Sequence, residues 1–111
     1  MQFALFIVRR FLIMNSKLQD KYTDSLFDAI LLLENREECY KFFEDISTIS
    51  EIKALAQRLE VAKMLRNKRT YTDISEQTGA STATISRVNR CLVYGADGYN
   101  LVLDRLEEKD K

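Results

Sequence analysis

The residue types best suited to specific chemistry are concentrated in the segment 81–90, where small, hydroxylated and basic side chains alternate with apolar ones. Helical periodicity places four of them together on the face opposite the apolar residues. These four are Ala83, Ser86, Arg87 and Arg90. Arginine can bridge two acceptors on guanine, serine can bond bases or phosphates, and alanine can contact a thymine methyl. The face therefore has the composition of a surface that contacts DNA.

Two short helical segments around one glycine must position that face. An amphipathic segment from Tyr71 leads into Gly79, and a second segment begins at Ser81. This is the plan of a helix-turn-helix, whose second helix enters the major groove of DNA. Apolar residues fall where the two helices must touch, at Ile74, Ala80, Ile85 and Val88. A purely structural corner in a helical bundle has the same spacing, so the spacing alone leaves both interpretations open.

The composition favours a single all-α domain. The chain has 111 residues, of which 46% are hydrophobic and 31% charged, which is the balance of a globular rather than a disordered protein. It contains no proline and only three glycines. Because few residues interrupt helices and helix-forming types are abundant, we expect helices throughout.

The distribution of charge agrees with a nucleic-acid partner, although the formal net charge is zero. Seven basic residues stand against three acidic ones in the range Arg58–Cys91, which gives +4 locally. Affinity for phosphate depends on such local basic surface. Within this range Arg66, Lys68 and Arg69 follow the predicted third helix, where cations are favourable and can bind phosphate. A solvated charged face over 63–69 is the alternative.

The residue types argue against an enzyme or a metal site. The chain contains no histidine and no glycine-rich phosphate loop, and no serine or cysteine has an evident activating base. Its two cysteines, Cys39 and Cys91, lack the spacing of a metal site or a redox pair, and we expect both to be small buried thiols. We therefore expect no enzyme activity, no cofactor, no metal and a cytoplasmic location.

Residues 1–13 are strongly apolar but too interrupted to anchor the chain in a membrane. Arg9 and Arg10 leave a longest apolar run of about six residues, against the ~18–20 that a membrane span needs. A secretory signal would place its charges before the run and small residues after it. We interpret Met14 as the true start, which makes 1–13 an N-terminal extension and 14–111 the domain. A short helix or strand that covers an apolar groove of a partner is the alternative.

Four further helices are predicted around the helix-turn-helix. The first runs from a cap at Thr23 or Asp24 through Leu33 and is apolar on nearly all sides. Such a helix must be buried on several faces, which in a chain of this size indicates burial against a second chain. The second starts at Asn35. Its predicted inward residues are Cys39, Tyr40, Phe42, Phe43 and Ile46.

The caps of the later helices are also visible in the sequence. Thr48 and Glu51 stand in capping-box relation before the third helix, and Thr70 caps the first helix of the helix-turn-helix. Its second helix is expected to run from Ser81 to about Tyr94. The inward stripe of the third helix is Ile52, Leu55, Leu59, Ala62 and Leu65. The last helix starts near Asp97, and its inward residues are Tyr99, Val102, Leu103 and Leu106.

Two segments of the chain resemble the tryptophan-repressor (TrpR) superfamily. They are 54–62, Ala-Leu-Ala-Gln-Arg-Leu-Glu-Val-Ala, and 79–87, Gly-Ala-Ser-Thr-Ala-Thr-Ile-Ser-Arg. The stretches 38–45 and 91–95 resemble in particular the YerC/YecD branch of TrpR-like regulators. The resemblance covers 18–106 and includes the specific signature Gly-Ala-x-x-Ala-Thr-Ile-Ser/Thr-Arg. It favours DNA binding over the structural corner.

The resemblance implies a six-helix subunit that interlocks with a second copy into an intertwined homodimer. Such a dimer would present two recognition helices about one DNA turn apart, roughly 34 Å, to a palindromic operator. Together with the basic residues that follow the third helix, the resemblance gives a set of positions expected to contact double-stranded DNA. This set is Lys68, Arg69, Thr72, Ser81, Thr82, Ala83, Thr84, Ser86, Arg87 and Arg90.

The resemblance also implies an effector pocket. The tryptophan repressor holds an indole ring between two arginines, and the matching positions here are Arg58 and Arg87, while Thr48 matches a third pocket residue. Val88 stands where the repressor has glycine and would crowd the indole, and Cys91 stands where it has serine and is a poor hydrogen-bond partner. Tryptophan is therefore not expected as the effector, and whether another small effector exists stays open.

The main functional hypothesis is a dimeric, sequence-specific regulator of transcription that acts as a repressor on its operator. The alternative is a protein-interaction module that keeps this fold without DNA readout and uses the acidic segment Glu34–Asp45. The exposed face of 81–90 discriminates between them. A basic, free face supports the regulator, and a covered face favours the interaction module.

Overall fold

A computed structural model describes residues 16–110, which form six α-helices and no β-strand within that range. The helices are α1 (Lys21–Ile30), α2 (Arg36–Ile46), α3 (Ile49–Arg66), α4 (Tyr71–Thr78), α5 (Thr82–Tyr94) and α6 (Gly98–Asp110). The all-α class and the six helices expected for one subunit are thereby confirmed. The chain divides after Ile46 into two compact units, the first with α1 and α2 and the second with α3 to α6. The extension predicted at 1–13 and the start at Met14 lie outside the described residues.

The first helix begins and ends earlier than the sequence predicts. The predicted start at Thr23 or Asp24 is wrong because Asp20 is the N-cap: its Oδ1 accepts a hydrogen bond from the Thr23 amide at 2.7 Å. The predicted end at Leu33 is also wrong, since the helix ends at Ile30. Beyond the C-cap Leu31, the amides of Leu32 and Leu33 donate to carbonyls three residues back. The predicted helix was too long because the apolar residues continue to Leu33 and no glycine or proline marks its end at Ile30.

The second helix starts where the sequence predicts. The Asn35 Oδ1 accepts a hydrogen bond from the Glu38 amide at 2.9 Å, and the Glu38 carboxylate accepts one from the Glu34 amide at 2.9 Å. Phe42 and Phe43 are half-buried, and their rings meet edge to face with centroids 5.4 Å apart. The other residues predicted to point inward are exposed in the single chain: Cys39, Tyr40 and Ile46.

The first unit leaves much of its apolar surface uncovered. Neither α1 nor α2 contains a buried residue, and Leu31 and Leu32 are 81% and 78% exposed. The other large apolar side chains exposed here are Leu18, Tyr22, Phe27, Tyr40 and Ile46. The single chain thus leaves several large apolar side chains in contact with water, which is unfavourable unless another molecule covers them.

The second unit has a compact core around the C-terminal half of α3. This helix packs against α4, α5 and α6, and α5 contacts both α4 and α6. The buried residues are Val61, Ala62, Met64, Ile74, Ala80, Ile85, Val88 and Leu103. Because α3 is surrounded by three helices at this point, it buries side chains on more than one face.

The inward stripes predicted for α3 and α6 are therefore only partly correct. In α3, Ala62 is buried, but Leu55 is 53% exposed. The neighbours Val61 and Met64 are buried although the single-stripe pattern left them out. In α6, Leu103 is buried as predicted. Tyr99 is half-buried, whereas Val102 and Leu106 are exposed in the single chain.

The capping box predicted at the start of α3 is present. The Thr48 Oγ1 accepts a hydrogen bond from the Glu51 amide at 3.1 Å, and the Glu51 carboxylate accepts one from the Thr48 amide at 2.9 Å. Hydrogen bonds to the Glu51 carboxyl from the Thr48 backbone and from the Thr48 side chain lower the pKa of this carboxyl from its usual 4.5.

Replacement of Glu51 by glutamine should remove a pH dependence of stability. A lowered pKa means that the contribution of the carboxylate is fully present above its usual pKa of 4.5 and is lost as the pH falls through the folded-state pKa. Glutamine keeps an acceptor oxygen but carries no charge. In thermal melts from neutral to acidic pH, the Tm advantage of the wild type over Glu51→Gln should therefore shrink below pH 4.5. A constant difference in Tm would contradict this assignment.

Candidate nucleic-acid interface

The turn between α4 and α5 is fixed by Gly79 and Thr78. Gly79 has a φ of 73°, in the left-handed region that glycine adopts without steric cost, and its amide donates to the Ser75 carbonyl at 2.9 Å. The Thr78 hydroxyl donates to the Ile74 carbonyl at 2.7 Å and accepts a hydrogen bond from the Ala80 amide at 3.1 Å. These bonds set the direction in which α5 leaves α4.

Helix α3 holds this turn in place. The Gln57 Nε2 donates to the Thr78 carbonyl at 3.0 Å, which connects α3 to the C-terminal end of α4. The four apolar residues predicted at the contact of the two short helices are all buried: Ile74, Ala80, Ile85 and Val88. The predicted helix-turn-helix is thus a rigidly packed structural unit, with α5 in the position of its second helix.

The predicted DNA-contacting face of α5 is open to solvent. Thr82, Ala83, Arg87 and Arg90 are exposed, and Ser86 is half-buried. Within residues 16–110 neither Arg87 nor Arg90 makes an ion pair or a side-chain hydrogen bond. Their guanidinium groups are therefore available to bind the acceptors of guanine or the oxygens of phosphate.

Ser81 and Thr84 differ from the rest of the predicted set because they bond to each other at the start of α5. Ser81 is the N-cap: its Oγ accepts a hydrogen bond from the Thr84 amide at 3.1 Å and donates one to the Thr84 hydroxyl at 3.1 Å. Thr84 is also half-buried. Both hydroxyls thus have partners inside the chain, and their hydrogen bond lies at the N-terminus of α5.

The basic residues near the end of α3 have unequal surroundings. The Arg66 Nη2 lies 2.7 Å from the Asp104 carboxylate and 3.6 Å from that of Glu107, and its Nη1 donates to the Asn100 carbonyl at 3.4 Å. Arg66 is accordingly only 24% exposed. Contrary to the expectation that it binds phosphate, Arg66 connects α3 to α6.

The neighbours of Arg66 stay on the surface. The Arg69 Nε lies 3.5 Å from the Asp73 carboxylate, and both side chains are about half exposed, so this ion pair is weak. Lys63 lies 3.9 Å from Glu60, as expected for a solvated charged face. Lys68 and Thr72 are exposed, and neither side chain has a hydrogen-bond or ion-pair partner within the described part of the chain. The side chains of Lys68, Arg69 and Thr72 are therefore accessible to solvent.

A cavity of about 130 Å³ lies beside α5 in the second unit. Its lining residues are Arg58, Thr84, Arg87, Val88, Cys91 and Tyr99. It brings together four of the five residues predicted for the effector pocket. Two arginines and two residues that carry a hydroxyl group are among its lining residues, a composition that suits an anionic group with several acceptor oxygens.

The cavity of the single chain lacks one of the residues predicted for it, and neither cysteine is buried as expected. Thr48 does not line the cavity, because it caps α3 and precedes Arg58 by about 15 Å along the helix axis. Cys91 lines the cavity but is exposed, and Cys39 is exposed as well, so neither thiol is buried. The apolar residues that flank each cysteine in sequence do not cover it within the chain.

Tyr99 is a cavity residue that the sequence did not assign to this site. Burial raises the pKa of its phenol above the usual 10.0, the nearby Cys91 raises it further, and Arg58 and Arg87 act in the opposite direction. The phenol is therefore protonated at neutral pH and can donate a hydrogen bond into the cavity. The periodicity of apolar residues in α6 predicts that Tyr99 points inward. Which residues Tyr99 contacts depends on how α6 packs.

The comparison with known proteins agrees with this geometry. Residues 21–107 match the family described as Trp repressor protein. The chain belongs to the Trp repressor family. It is 60% identical over 94 residues to YerC of Bacillus subtilis (strain 168), an uncharacterized protein, and the match covers 85% of this chain and 90% of YerC.

Solved structures of this family have the same fold. A TrpR-like protein from Eubacterium eligens is 61% identical and superposes with a TM-score of 0.80, covering 84% of this chain and 96% of that one. A Staphylococcus aureus protein of known crystal structure is 57% identical with a TM-score of 0.79, covering 82% and 91%. The resemblance found in the sequence is thereby confirmed, both for the family and for the YerC branch.

Membership of the Trp repressor family supports a DNA-binding regulator rather than an enzyme, at the level of the family. The helices within residues 16–110 include none with the length and apolar character needed to cross a bilayer.

Proposed function

We propose that this chain is a sequence-specific regulator of transcription, and a repressor, which binds a palindromic operator through α5. The observation that carries the proposal is the exposed face of α5, where Arg87 and Arg90 have no partner among the described residues. A helix-turn-helix places the N-terminal part of its second helix against base edges, which here is the part with Thr82, Ala83 and Ser86. In this proposal the protein acts in the cytoplasm and is associated with the nucleoid when bound.

The proposed assembly is a homodimer. The uncovered apolar side chains of the first unit, with Leu31 and Leu32 largely exposed, are the surface that a second copy would bury. A two-fold dimer would set its two recognition helices about one turn of DNA apart, roughly 34 Å, and each would enter one half-site. Operator occupancy would then exclude other proteins from the same DNA.

The proposed effector, where one is used, is a small anion rather than tryptophan. The cavity of about 130 Å³ is slightly smaller than the ~150 Å³ apolar cavity that holds a benzene ring, and Val88 forms part of its wall. Arg58 and Arg87 would bind the oxygens of a carboxylate or phosphate. Because Arg87 also belongs to the face that contacts DNA, an anion in the cavity would alter operator affinity.

A binding titration against DNA tests the proposed function. Sheared DNA from the organism's own genome should bind the purified protein at low salt, and the affinity should fall steeply as salt rises because phosphate contacts release counterions. A genomic operator should then outcompete random duplex by a factor of ~10³ or more. Absence of binding to any fragment at low salt would favour the interaction module that uses Glu34–Asp45.

Substitution of Ser86 or Thr82 by alanine should change which operator is preferred. Loss of a base contact costs about 1–3 kcal/mol on the operators that contain the cognate base pair and little on others. Competition binding on a panel of single-base operator variants measures this selectivity. Equal losses on all sequences would show that these hydroxyls do not contact bases.

A further inference from the structure

Lys68 occupies a backbone position that normally requires glycine. Its amide donates to the Leu65 carbonyl at 3.0 Å, and the Arg69 amide donates to the Met64 carbonyl at 3.0 Å. This pair of bonds is the Schellman motif that ends a helix, and Lys68 is the residue just past its C-cap, Asn67. Lys68 has a φ of 60°, in the left-handed region. There the Cβ of an L-residue crowds the following carbonyl oxygen, whereas glycine fits without strain.

Local bonding does not account for a lysine at this position. The other non-glycine residue with a positive φ among residues 16–110 is Asp97, at 69°. Aspartate tolerates this region better than most residues, and the Asp97 carboxylate accepts a hydrogen bond from the Asn100 amide group at 3.1 Å. The Lys68 side chain makes no such bond within the described residues. A strained residue without local compensation points to a role outside the fold.

The charge environment indicates what that role is. Arg66, on one side, is bound to Asp104 and Glu107, and Arg69, on the other, is paired with Asp73. Lys68 is exposed and unpaired within 16–110, so of these three cations it is the one whose charge is not neutralised. It lies two residues before Thr70, the N-cap of α4. The first helix of a helix-turn-helix crosses the DNA backbone, which places phosphates near this turn.

We propose that Lys68 is a phosphate-binding residue, whose ammonium group contacts the DNA backbone beside the groove entered by α5. The inference rests on the proposed function, since it needs DNA bound at α4 and α5. The strained turn holds the base of the side chain directly before α4, and Arg66 holds the preceding helix end against α6. The positive φ of Lys68 thus lowers the stability of the turn, and the lysine places a cation at the DNA surface.

Three variants of this position and one control test the inference. Lys68→Gln removes the charge and keeps the strain, Lys68→Gly removes both, and Lys68→Arg keeps the charge. The control is Lys53→Gln, which removes an exposed lysine from α3 about 20 Å along the helix from its C-terminal end. The probe is a random-sequence DNA duplex, titrated over a range of salt concentrations, because phosphate contacts do not depend on the operator.

Lys68→Gln and Lys68→Gly should both bind more weakly than the wild type. The slope of log K against log salt should become shallower by about 1.8, because each bound dimer loses two phosphate contacts. Between about 50 and 200 mM salt, the affinity ratio of wild type to variant should accordingly fall roughly 12-fold. Lys68→Arg and Lys53→Gln should keep the wild-type slope. Lys68→Gly should also raise the Tm by about 4–8 °C, because the strain is relieved.

The outcomes separate this inference from the proposed function. If the wild type binds the duplex and Lys68→Gln has the same salt slope, the phosphate contact of Lys68 is overturned. The proposed function as a regulator is then unaffected. An unchanged or lower Tm in Lys68→Gly would overturn the strain on which the inference is built. A wild type that does not bind the duplex at low salt would overturn both the proposed function and the role of Lys68.

Discussion

Replacement of Leu31 and Leu32 by aspartate should abolish the dimer and with it the stable fold. Each leucine is about four-fifths exposed in the single chain, and burial of a leucine side chain stabilises by ~1.5–3 kcal/mol. Two leucines from each of two copies therefore contribute roughly 6–12 kcal/mol, which is comparable with the whole stability of a small domain. The dimerisation constant should fall by at least about 10⁴.

Light scattering and thermal melts on the same samples measure this effect. The wild type should have twice the 13.0 kDa chain mass at micromolar concentration, and its Tm should rise with protein concentration. The matched control is the double methionine variant, which keeps the apolar volume and should stay a dimer. A well-folded monomer of the aspartate variant would contradict an interlocked subunit, and a folded dimer would contradict an interface at these residues.

Ala83→Glu should eliminate DNA binding without disturbing the fold. Ala83 is exposed on α5 between Thr82 and Thr84, on the part of the helix that faces base edges in the proposed complex. A carboxylate there would face phosphates and base acceptors, and such like-charge contact costs several kcal/mol. At about 3 kcal/mol for each of the two recognition helices, the affinity of the dimer should fall by about 10⁴.

The control for this prediction is Ala96→Glu, which makes the same change at an exposed position between α5 and α6. Both variants change the net charge equally, so a general electrostatic effect would weaken both to the same extent. Binding titrations, with circular dichroism to confirm the fold, should show a loss in Ala83→Glu alone. Comparable affinities of the two variants would exclude this face of α5 from the DNA interface.

The parts of the site that sequence reasoning predicted correctly are those set by local interactions. The cap residues Asn35, Thr48 and Thr70 bond within three residues of their own position, so their spacing alone identifies them. The turn at Gly79 and the buried contact at Ile85 likewise follow from short-range spacing and helical periodicity. Because all of these interactions are local, the amino-acid sequence is sufficient to locate the helix-turn-helix.

The parts that were missed depend on contacts between residues far apart in the chain. Arg66 was expected to bind phosphate because it follows a helix among other cations, but its partner Asp104 lies 38 residues away. The position of Tyr99 at the cavity depends in the same way on how α6 packs. The single stripe expected on α3 failed because three helices surround its C-terminal half and bury both Val61 and Ala62. Periodicity describes one face of a helix, and here more than one face is buried.

Contact of α5 with base edges in a two-fold complex is tested most directly by selection of genomic fragments with the purified protein. The enriched fragments should share a palindrome with half-site centres about 10 base pairs apart, and Ala83→Glu should enrich none of them. Enrichment of no common sequence by the wild type at low salt, or the same enrichment by Ala83→Glu, would exclude base contacts by α5.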